Sequence, residues 1–478
     1  MELAVPGGGA VIYCVGIKGT GVSALAELLQ GAGFRISGSD GPDTFYTDAI
    51  LDALGIPYYE SFERGHVPED ARLVIYSAAY DPETNPELRE AAARGIPLLR
   101  YTDALGAYSA RFDSSGIAGV HGKTTTTAMA GSLIQALGLP AQVLAGSAVA
   151  GFGGSTLNLG DRYFVAETCE YRRHFLSFRP RRIVLTSVES DHQDYYPTYE
   201  SIRAAFLEYL ALLPPGGELI YCADDRGAAE TAEMAARSAA GRELKLKPYG
   251  FSAAGPWALT SCRSGEERLA FTLAGLEGEF TLHVPGRHSA LNAAAALALV
   301  HSLVLDEHGE GGWTAGTGQL ARAALEEFRG SKRRSEILGE AGGVLFMDDY
   351  GHHPTAIRST LAGLRDFYPR RRLVVSFMSH TYTRTAALLD EFAASLDAAD
   401  ILFLHRIYGS ARETAGGISG RTLFEKAQSR RGNVFYTEEP EEAAPPLKEL
   451  LRPGDLFLTL GAGDNWKLGQ LLLKELRS

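Results

Sequence analysis

The sequence predicts an α/β protein of three domains, each with strands and helices alternating along the chain. Three observations carry that expectation. Strand, glycine turn and helix follow one another at residues 10–29 and again at residues 116–134. Further apolar strand patterns, each followed by a helical one, continue to the C-terminus, as in mainly parallel sheets. The chain of 478 residues is also too long for one core; at about 150 residues per domain it divides into three. The expected domains are 1–111, 112–328 and 329–478.

Composition narrows the function classes. The chain is 45% hydrophobic and 22% charged, as ordinary globular proteins are. A net charge of -12 argues against nonspecific nucleic-acid binding and against anionic membrane surfaces. A local basic pocket for a phosphorylated ligand remains compatible with it. Cys14, Cys169, Cys222 and Cys262 are scattered, without metal-type or disulfide-type spacing, which fits a reducing cytosol. Met1-Glu2-Leu3-Ala4-Val5-Pro6 lacks a basic start, so no secretory signal is expected. No apolar run reads as a membrane span, and a cytoplasmic protein is expected.

In the first domain, the strand pattern Ala10–Val15 runs into Gly16-Ile17-Lys18-Gly19-Thr20-Gly21 and then a helix. A second strand, Phe34–Gly38, ends at Ser39-Asp40, and Leu73–Ser77 reads as a third. A glycine turn allows close approach to a diphosphate at a helix N-terminus, and a carboxylate suits a hydroxyl pair. The spacing G-x-x-G-x-G is not the dinucleotide G-x-G-x-x-G, which lowers the case for NAD.

The second domain opens on Gly119-Val120-His121-Gly122-Lys123-Thr124-Thr125, between a strand and a helix. Such a loop turns backbone N–H groups towards an anion, Lys123 reaches the outer phosphates, and the Thr124 hydroxyl suits magnesium. The first glycine of the longer phosphate-loop pattern is missing; Ile117 holds its place. Glu167 and Asp191-His192 follow two further strand patterns. Lys123, Glu167 and His192 could therefore converge from three strand ends. Thr124 and Glu167 are natural oxygen ligands for Mg²⁺, whereas a histidine is unusual for that ion. Residues 252–285 read as a small antiparallel patch, and Pro285-Gly286-Arg287-His288-Ser289-Ala290-Leu291-Asn292 opens an alanine-rich helix.

The third domain begins at the basic run Arg329-Gly330-Ser331-Lys332-Arg333-Arg334, where arginine could bind phosphates. A strand then leads into Asp348-Asp349-Tyr350-Gly351-His352-His353-Pro354-Thr355 and a helix. Met378-Ser379-His380-Thr381-Tyr382-Thr383-Arg384 and Arg406–Glu413 follow later strands, and Leu460-Gly461-Ala462-Gly463 ends the last one.

Taken in order, these strings resemble the Mur ligases, the family that builds the peptide stem of the bacterial cell wall. The shorter phosphate loop with His121 before Gly-Lys-Thr, Pro-Gly-x-His before Asn292, and Asp-Asp-Tyr-Gly-His-His-Pro carry the resemblance across all three domains. It implies a Rossmann-like UDP-binding domain, a P-loop-type ATPase domain and a C-terminal Rossmann-like domain. The implied reaction is ATP-dependent. A carboxylate of UDP-N-acetylmuramic acid becomes an acyl phosphate, is attacked by L-alanine, and leaves an amide, ADP and phosphate. ATP and Mg²⁺ are the implied cofactors, the chain a monomer or homodimer that binds neither nucleic acid nor membrane.

The resemblance also implies roles. Gly16, Gly19, Thr20, Gly21, Ser39, Asp40 and Ser77 would hold the UDP-sugar. Gly119 to Thr125, Asn292, Arg334 and Asp349 would hold ATP; Thr124, Glu167 and His192 would hold metal. Tyr350, His352, His380 and Arg384 would line the junction of the muramate carboxylate and the amine, with Lys123, His352, His380 and Arg384 as catalytic groups. Departures stand at Glu170-Tyr171-Arg172-Arg173-His174, where many relatives are acidic, and at Ser289, Met378-Ser379 and Arg406. They leave open whether the amine is L-alanine, glycine, serine or a peptide. They also leave open a muropeptide-recycling ligase that adds a tripeptide, and a nonenzymatic nucleotide-binding relative. The identity of any general base stays open too.

Overall fold

The computed structural model describes residues 9–45, 47–238, 243–409 and 417–477. The N-terminal hexapeptide and Ser410–Glu413 of the last motif lie outside the described residues. The chain divides into two compact units. One comprises Met1–Val188, Arg203–Pro248 and Ala295–Thr317; the other comprises Glu189–Ile202, Tyr249–Ala294 and Gly318–Ser478.

The first unit contains two sheets. Strands β1 (Val11–Val15), β2 (Arg35–Ser39), β3 (Tyr58–Tyr59), β4 (Ala71–Tyr76) and β5 (Leu98–Arg100) pair in parallel in the order β3-β2-β1-β4-β5. That is a doubly wound order, which leaves ligand space beyond the carboxyl ends of the central strands. β1 is buried throughout, as a parallel strand covered on both faces must be. The helix Thr20–Gly31 follows it, burying Leu25, Leu28 and Leu29. Asn85 caps the helix Pro86–Ala93, its side chain accepting from the backbone N–H groups of Glu87 and Leu88.

The second sheet uses β6 (Asp113–Ala118), β7 (Ala141–Val149), β8 (Gly154–Asn158), β9 (Tyr163–Glu167), β10 (Arg182–Leu185), β11 (Glu218–Cys222) and β12 (Lys245–Tyr249). Their order is β12-β11-β10-β6-β9-β7-β8; β8 runs antiparallel to β7, and β6, β7, β9, β10 and β11 pair in parallel. β6 therefore lies between β9 and β10, which puts the phosphate loop beside the ends of both. At the opposite end, buried Arg182 is neutralised by Asp113, at 2.5 Å, and by Asp306.

The second unit holds an antiparallel sheet of β13 (Leu259–Gly265), β14 (Arg268–Leu273) and β15 (Leu276–Leu282). A larger sheet contains β16 (Glu336–Ala341), β17 (Val344–Asp349), β18 (Arg372–Phe377), β19 (Ile401–Leu404), β20 (Val434–Tyr436) and β21 (Asp455–Leu460). Its order is β16-β17-β21-β18-β19-β20, parallel except for edge strand β16. β17 and β21 are buried along their whole length.

The alanine-rich helix Arg287–His308 corrects one expectation. Its length and mean hydropathy of 1.5 suffice to cross a membrane, yet 78% of its apolar stretch is buried inside the protein. A helix apolar on all sides is a core helix when protein surrounds it.

Candidate active site

In the first unit, the glycine turn Gly16–Gly21, Ser39-Asp40 and Ser77 stand at the carboxyl ends of neighbouring strands β1, β2 and β4. Gly19 caps the helix that starts at Thr20. The Asp40 carboxylate is only 6% exposed and accepts from the Lys18 N–H at 2.8 Å, the Gly41 N–H at 2.9 Å and the Tyr80 hydroxyl at 2.6 Å. A carboxylate has about four acceptor positions, so Asp40 shapes the turn and keeps little capacity for a ligand hydroxyl. Ser39 donates to Glu87, a buried carboxylate that also accepts from Tyr13 at 3.1 Å. Ser77 Oγ accepts from the Ala79 N–H at 3.3 Å.

Lys18 does not face the turn it belongs to. Its buried ammonium reaches Glu60 at 2.7 Å and the carbonyls of Gly41 and Asp43 at 3.2 Å, tying down the segment after β2.

The phosphate loop leaves β6 at Gly119, whose φ of +139° is a glycine conformation. A Cβ there would lie 2.1 Å from Thr186 Oγ1 and 2.7 Å from the Ser187 nitrogen. The close approach lets the end of β10 hold the loop. Ser187 Oγ accepts from the His121 N–H at 2.8 Å, the Ser187 carbonyl accepts from the Val120 N–H at 3.2 Å, and Thr186 Oγ1 donates to the carbonyl of Ala118 at 3.0 Å. Gly122, at φ +81°, caps the helix Lys123–Leu137, with Thr124 and Thr125 in its first turn.

Two carboxylates complete this corner. Thr124 Oγ1 donates to Glu167 Oε2 at 2.7 Å, which sets two oxygen donors side by side. That donor set fits Mg²⁺, a hard cation that takes few protein oxygens and keeps its waters. Lys123 Nζ pairs with Glu170 Oε2 at 2.8 Å and donates to the Gly119 carbonyl. Burial pulls the lysine pKa down, but Glu170, with Cys169 and Glu167 behind it, raises it above the ordinary value. Glu170 is 2% exposed, so its carboxylate occupies the position beside Lys123 that a phosphate oxygen would take. The extra positive charge of this loop goes elsewhere. Arg173 pairs with Glu208, and the Arg172 guanidinium lies over the Tyr171 ring, 5.5 Å from its centroid.

In the second unit, Asp191 and Arg384 form a buried pair, 4% and 5% exposed, with Nη2 at 2.7 Å and Nε at 2.9 Å from the same Oδ1. Burial pushes the Asp191 pKa up, but Arg384, followed by His192 and His352, holds it well below the carboxylate range. His192 follows at φ +53°. His352 Nδ1 lies 3.0 Å from the Tyr350 carbonyl, which can only accept. Burial, reinforced by Arg384, lowers the His352 pKa well below its ordinary value. Nδ1 therefore carries a proton, and Nε2 holds a lone pair whenever the ring is neutral. The His380 ring stands 6.1 Å away.

Tyr350 carries the Arg333 and Arg334 guanidinium groups over its ring, each at 5.1 Å. Arg333 is committed to Asp348 at 2.9 Å and the Gly461 carbonyl at 2.7 Å. Asp349 accepts from the N–H groups of Ser335 and Gly351, both at 2.8 Å. Asn292 is buried in the second turn of its helix. Of the departures, Met378 is buried, Ser379 Oγ hydrogen-bonds Thr385 Oγ1 at 2.6 Å, and Arg406 pairs with Glu439 at 2.9 Å.

Family models match along the chain. The Mur ligase family catalytic domain matches residues 11–113, the Mur ligase middle domain matches 117–300, and the Mur ligase, glutamate ligase domain, matches 333–463. The chain belongs to the Mur ligase family. It is 53% identical over 466 residues to the UDP-N-acetylmuramate–L-alanine ligase of Treponema pallidum (strain Nichols), covering 97% of this chain and 96% of that one. Identity to the ligase of the same name from Borrelia garinii subsp. bavariensis is 38%, covering 96% and 98%. The crystal structure of UDP-N-acetylmuramate-alanine ligase MurC from Thermotoga maritima superposes with a TM-score of 0.77 over 97% of this chain and 98% of that one. At 24% identity this last likeness speaks for the fold. Mur ligases are ATP-dependent, and three such domains make up the present chain.

Proposed function

We propose that this Mur ligase joins L-alanine to the carboxylate of UDP-N-acetylmuramic acid, consuming ATP, in cytoplasmic peptidoglycan precursor synthesis. The observation that carries the reading is the 53% identity to a UDP-N-acetylmuramate–L-alanine ligase along 97% of the chain. The corner of Lys123, Thr124 and Glu167 supplies chemistry that this reaction needs. A tripeptide-adding recycling ligase is less supported, since the relatives at 53% and 38% identity both carry the alanine-ligase name. The domain limits we assign are 1–111 for the UDP-sugar, 112–328 for ATP and 329–478 for the amine.

A carboxylate does not condense with an amine unaided, because its leaving group is oxide. In the proposed mechanism a carboxylate oxygen of the sugar nucleotide attacks the γ-phosphorus and ADP leaves. Lys123, released from Glu170 as a phosphate oxygen takes that place, neutralises charge on the moving phosphoryl group. The loop, fixed by Ser187, would hold the phosphates of ATP with the N–H groups at its helix end, in the first turn from Lys123. Mg²⁺ at Thr124 and Glu167, with His192 as the further ligand that the family resemblance implies, would supply charge neutralisation at the phosphates. Arg334 is the phosphate-binding arginine we assign; Asn292 and Asp349 are assigned to ATP, and Gly16 to Gly21, Ser39, Asp40 and Ser77 to the sugar nucleotide. The amine of L-alanine then attacks the acyl carbon and phosphate leaves. His352 and His380 are the groups we assign to orienting or deprotonating the ammonium, and Tyr350 and Arg384 shape their surroundings.

Phosphate release with ATP, Mg²⁺ and the sugar nucleotide tests the reading, with each amine added in turn and each component omitted once. Release that needs both the sugar nucleotide and L-alanine, with one amide product by mass, is expected. Release that needs the tripeptide and ignores L-alanine would move the assignment to a recycling ligase.

A further inference from the structure

The geometry points to Gly146 as the residue that positions Glu167 for the metal. Gly146 lies in β7, next to β9, whose last residue is Glu167. A Cβ on Gly146 would stand 2.2 Å from Glu167 Oε2, 2.6 Å from Cδ and 2.9 Å from Oε1. No carboxylate in its present place tolerates such an atom. The glycine is not needed for the turn of the chain, because Gly146 is absent from the positive-φ glycines. What it supplies is the missing methyl group: the bare Cα leaves the volume in which the Glu167 carboxylate turns towards Thr124 Oγ1, 2.7 Å away.

The alternative position for that carboxylate is available. Glu167 also borders a cleft lined by Tyr101, Thr102, Cys169, His174 and Phe175. A methyl group at residue 146 pushes the carboxylate off Thr124 and towards that cleft. The three atoms nearest to such a methyl group all belong to the end of one flexible side chain, so the substitution is expected to cost the fold little and the donor pair its geometry. Gly146 acts through Glu167 and touches no ligand itself. Supporting residues of this kind typically change metal affinity by about 10- to 100-fold.

The inference rests on the reading of Thr124 and Glu167 as metal ligands, and the test separates the two. Mn²⁺ serves as the spectroscopic stand-in for Mg²⁺. Its affinity for the full-length protein with ADP is measured by electron paramagnetic resonance for wild type, Gly146→Ala, Glu167→Ala and the double variant. Metal-free ADP affinity and urea unfolding are measured alongside. The expected result is a loss of Mn²⁺ affinity of about tenfold or more in Gly146→Ala, with ADP affinity and the unfolding midpoint unchanged. The double variant should bind Mn²⁺ as Glu167→Ala does, since the methyl group then has no side-chain end left to displace. Wild-type Mn²⁺ affinity in Gly146→Ala beside a loss in Glu167→Ala overturns the positioning role alone. No loss in either variant overturns the ligand assignment of Glu167 as well. A further loss in the double variant, or a lowered unfolding midpoint, assigns Gly146 to the fold and overturns the inference.

Discussion

Lys123→Ala is expected to lower turnover by about 10³-fold or more, because the cation facing the transferred phosphoryl group is gone. The structure adds a second consequence. Glu170 is 2% exposed and its partner at 2.8 Å is Lys123. Removing the cation weakens the compensation of a buried carboxylate, and a loss of stability is expected. Lys123→Ala should therefore unfold at lower urea than wild type. Adding Glu170→Gln removes that charge, so the double variant should regain part of the lost stability while staying inactive. Stability and phosphate release measured on the same preparations check this. If the double variant remains as unstable as the single one, Glu170 is not the resting partner of Lys123. Normal turnover by Lys123→Ala would remove the phosphate loop from the mechanism.

Arg384→Ala is expected to have the largest effect in the second unit. Its guanidinium places Nε and Nη2 on one oxygen of Asp191, both groups being almost fully buried. The loss takes the guanidinium from a buried carboxylate that keeps the His192 N–H at 2.7 Å, and costs about 3–5 kcal/mol. Arg384→Lys should recover only part of it, because an ammonium cannot present two N–H groups in a fixed fork. The pH dependence has a definite sign. Asp191 is held well below the carboxylate range in the folded chain. Its stabilisation is complete above the unfolded value of about 3.9 and fades as pH falls below that. The difference in urea midpoint between wild type and Arg384→Ala should be constant from neutral pH to about pH 4 and shrink in more acid solution. A difference that shrinks instead between pH 8 and pH 6 would assign the effect to a histidine.

The parts of this architecture that were legible in the sequence are local in the chain. Gly119–Thr125 declares itself because a glycine loop between an apolar strand and a helix has few other uses, and Gly16–Gly21 with Asp40 repeats the logic. The patch at β13–β15 and the helix after His353-Pro354 were readable for the same reason, from alternation and from a proline at a helix start. β7 and β8 escaped notice, since Gln142, Gly146 and Ser147 interrupt the apolar run of β7. Gly146 escaped with them, because the need for a missing methyl group is written in the neighbouring strand. Glu170 reads as one more solvated acid until burial sets it against Lys123. The Asp191–Arg384 pair joins residues 193 positions apart, a separation over which residue patterns carry no contact information. Asp40 shows the converse: its place after β2 was predictable, but three internal donors on its carboxylate were not.

The central claim is transfer of the γ-phosphoryl group to the muramate carboxylate before the amide forms. Its most direct measurement uses UDP-N-acetylmuramic acid carrying ¹⁸O in the lactyl carboxylate, with ATP, Mg²⁺ and L-alanine, and mass analysis of the released phosphate. The account predicts one carboxylate-derived ¹⁸O in each phosphate, because the oxygen that accepts the phosphoryl group leaves with it when the amine attacks the acyl carbon. Unlabelled phosphate, with the carboxylate ¹⁸O lost on amide formation appearing in water, would contradict it.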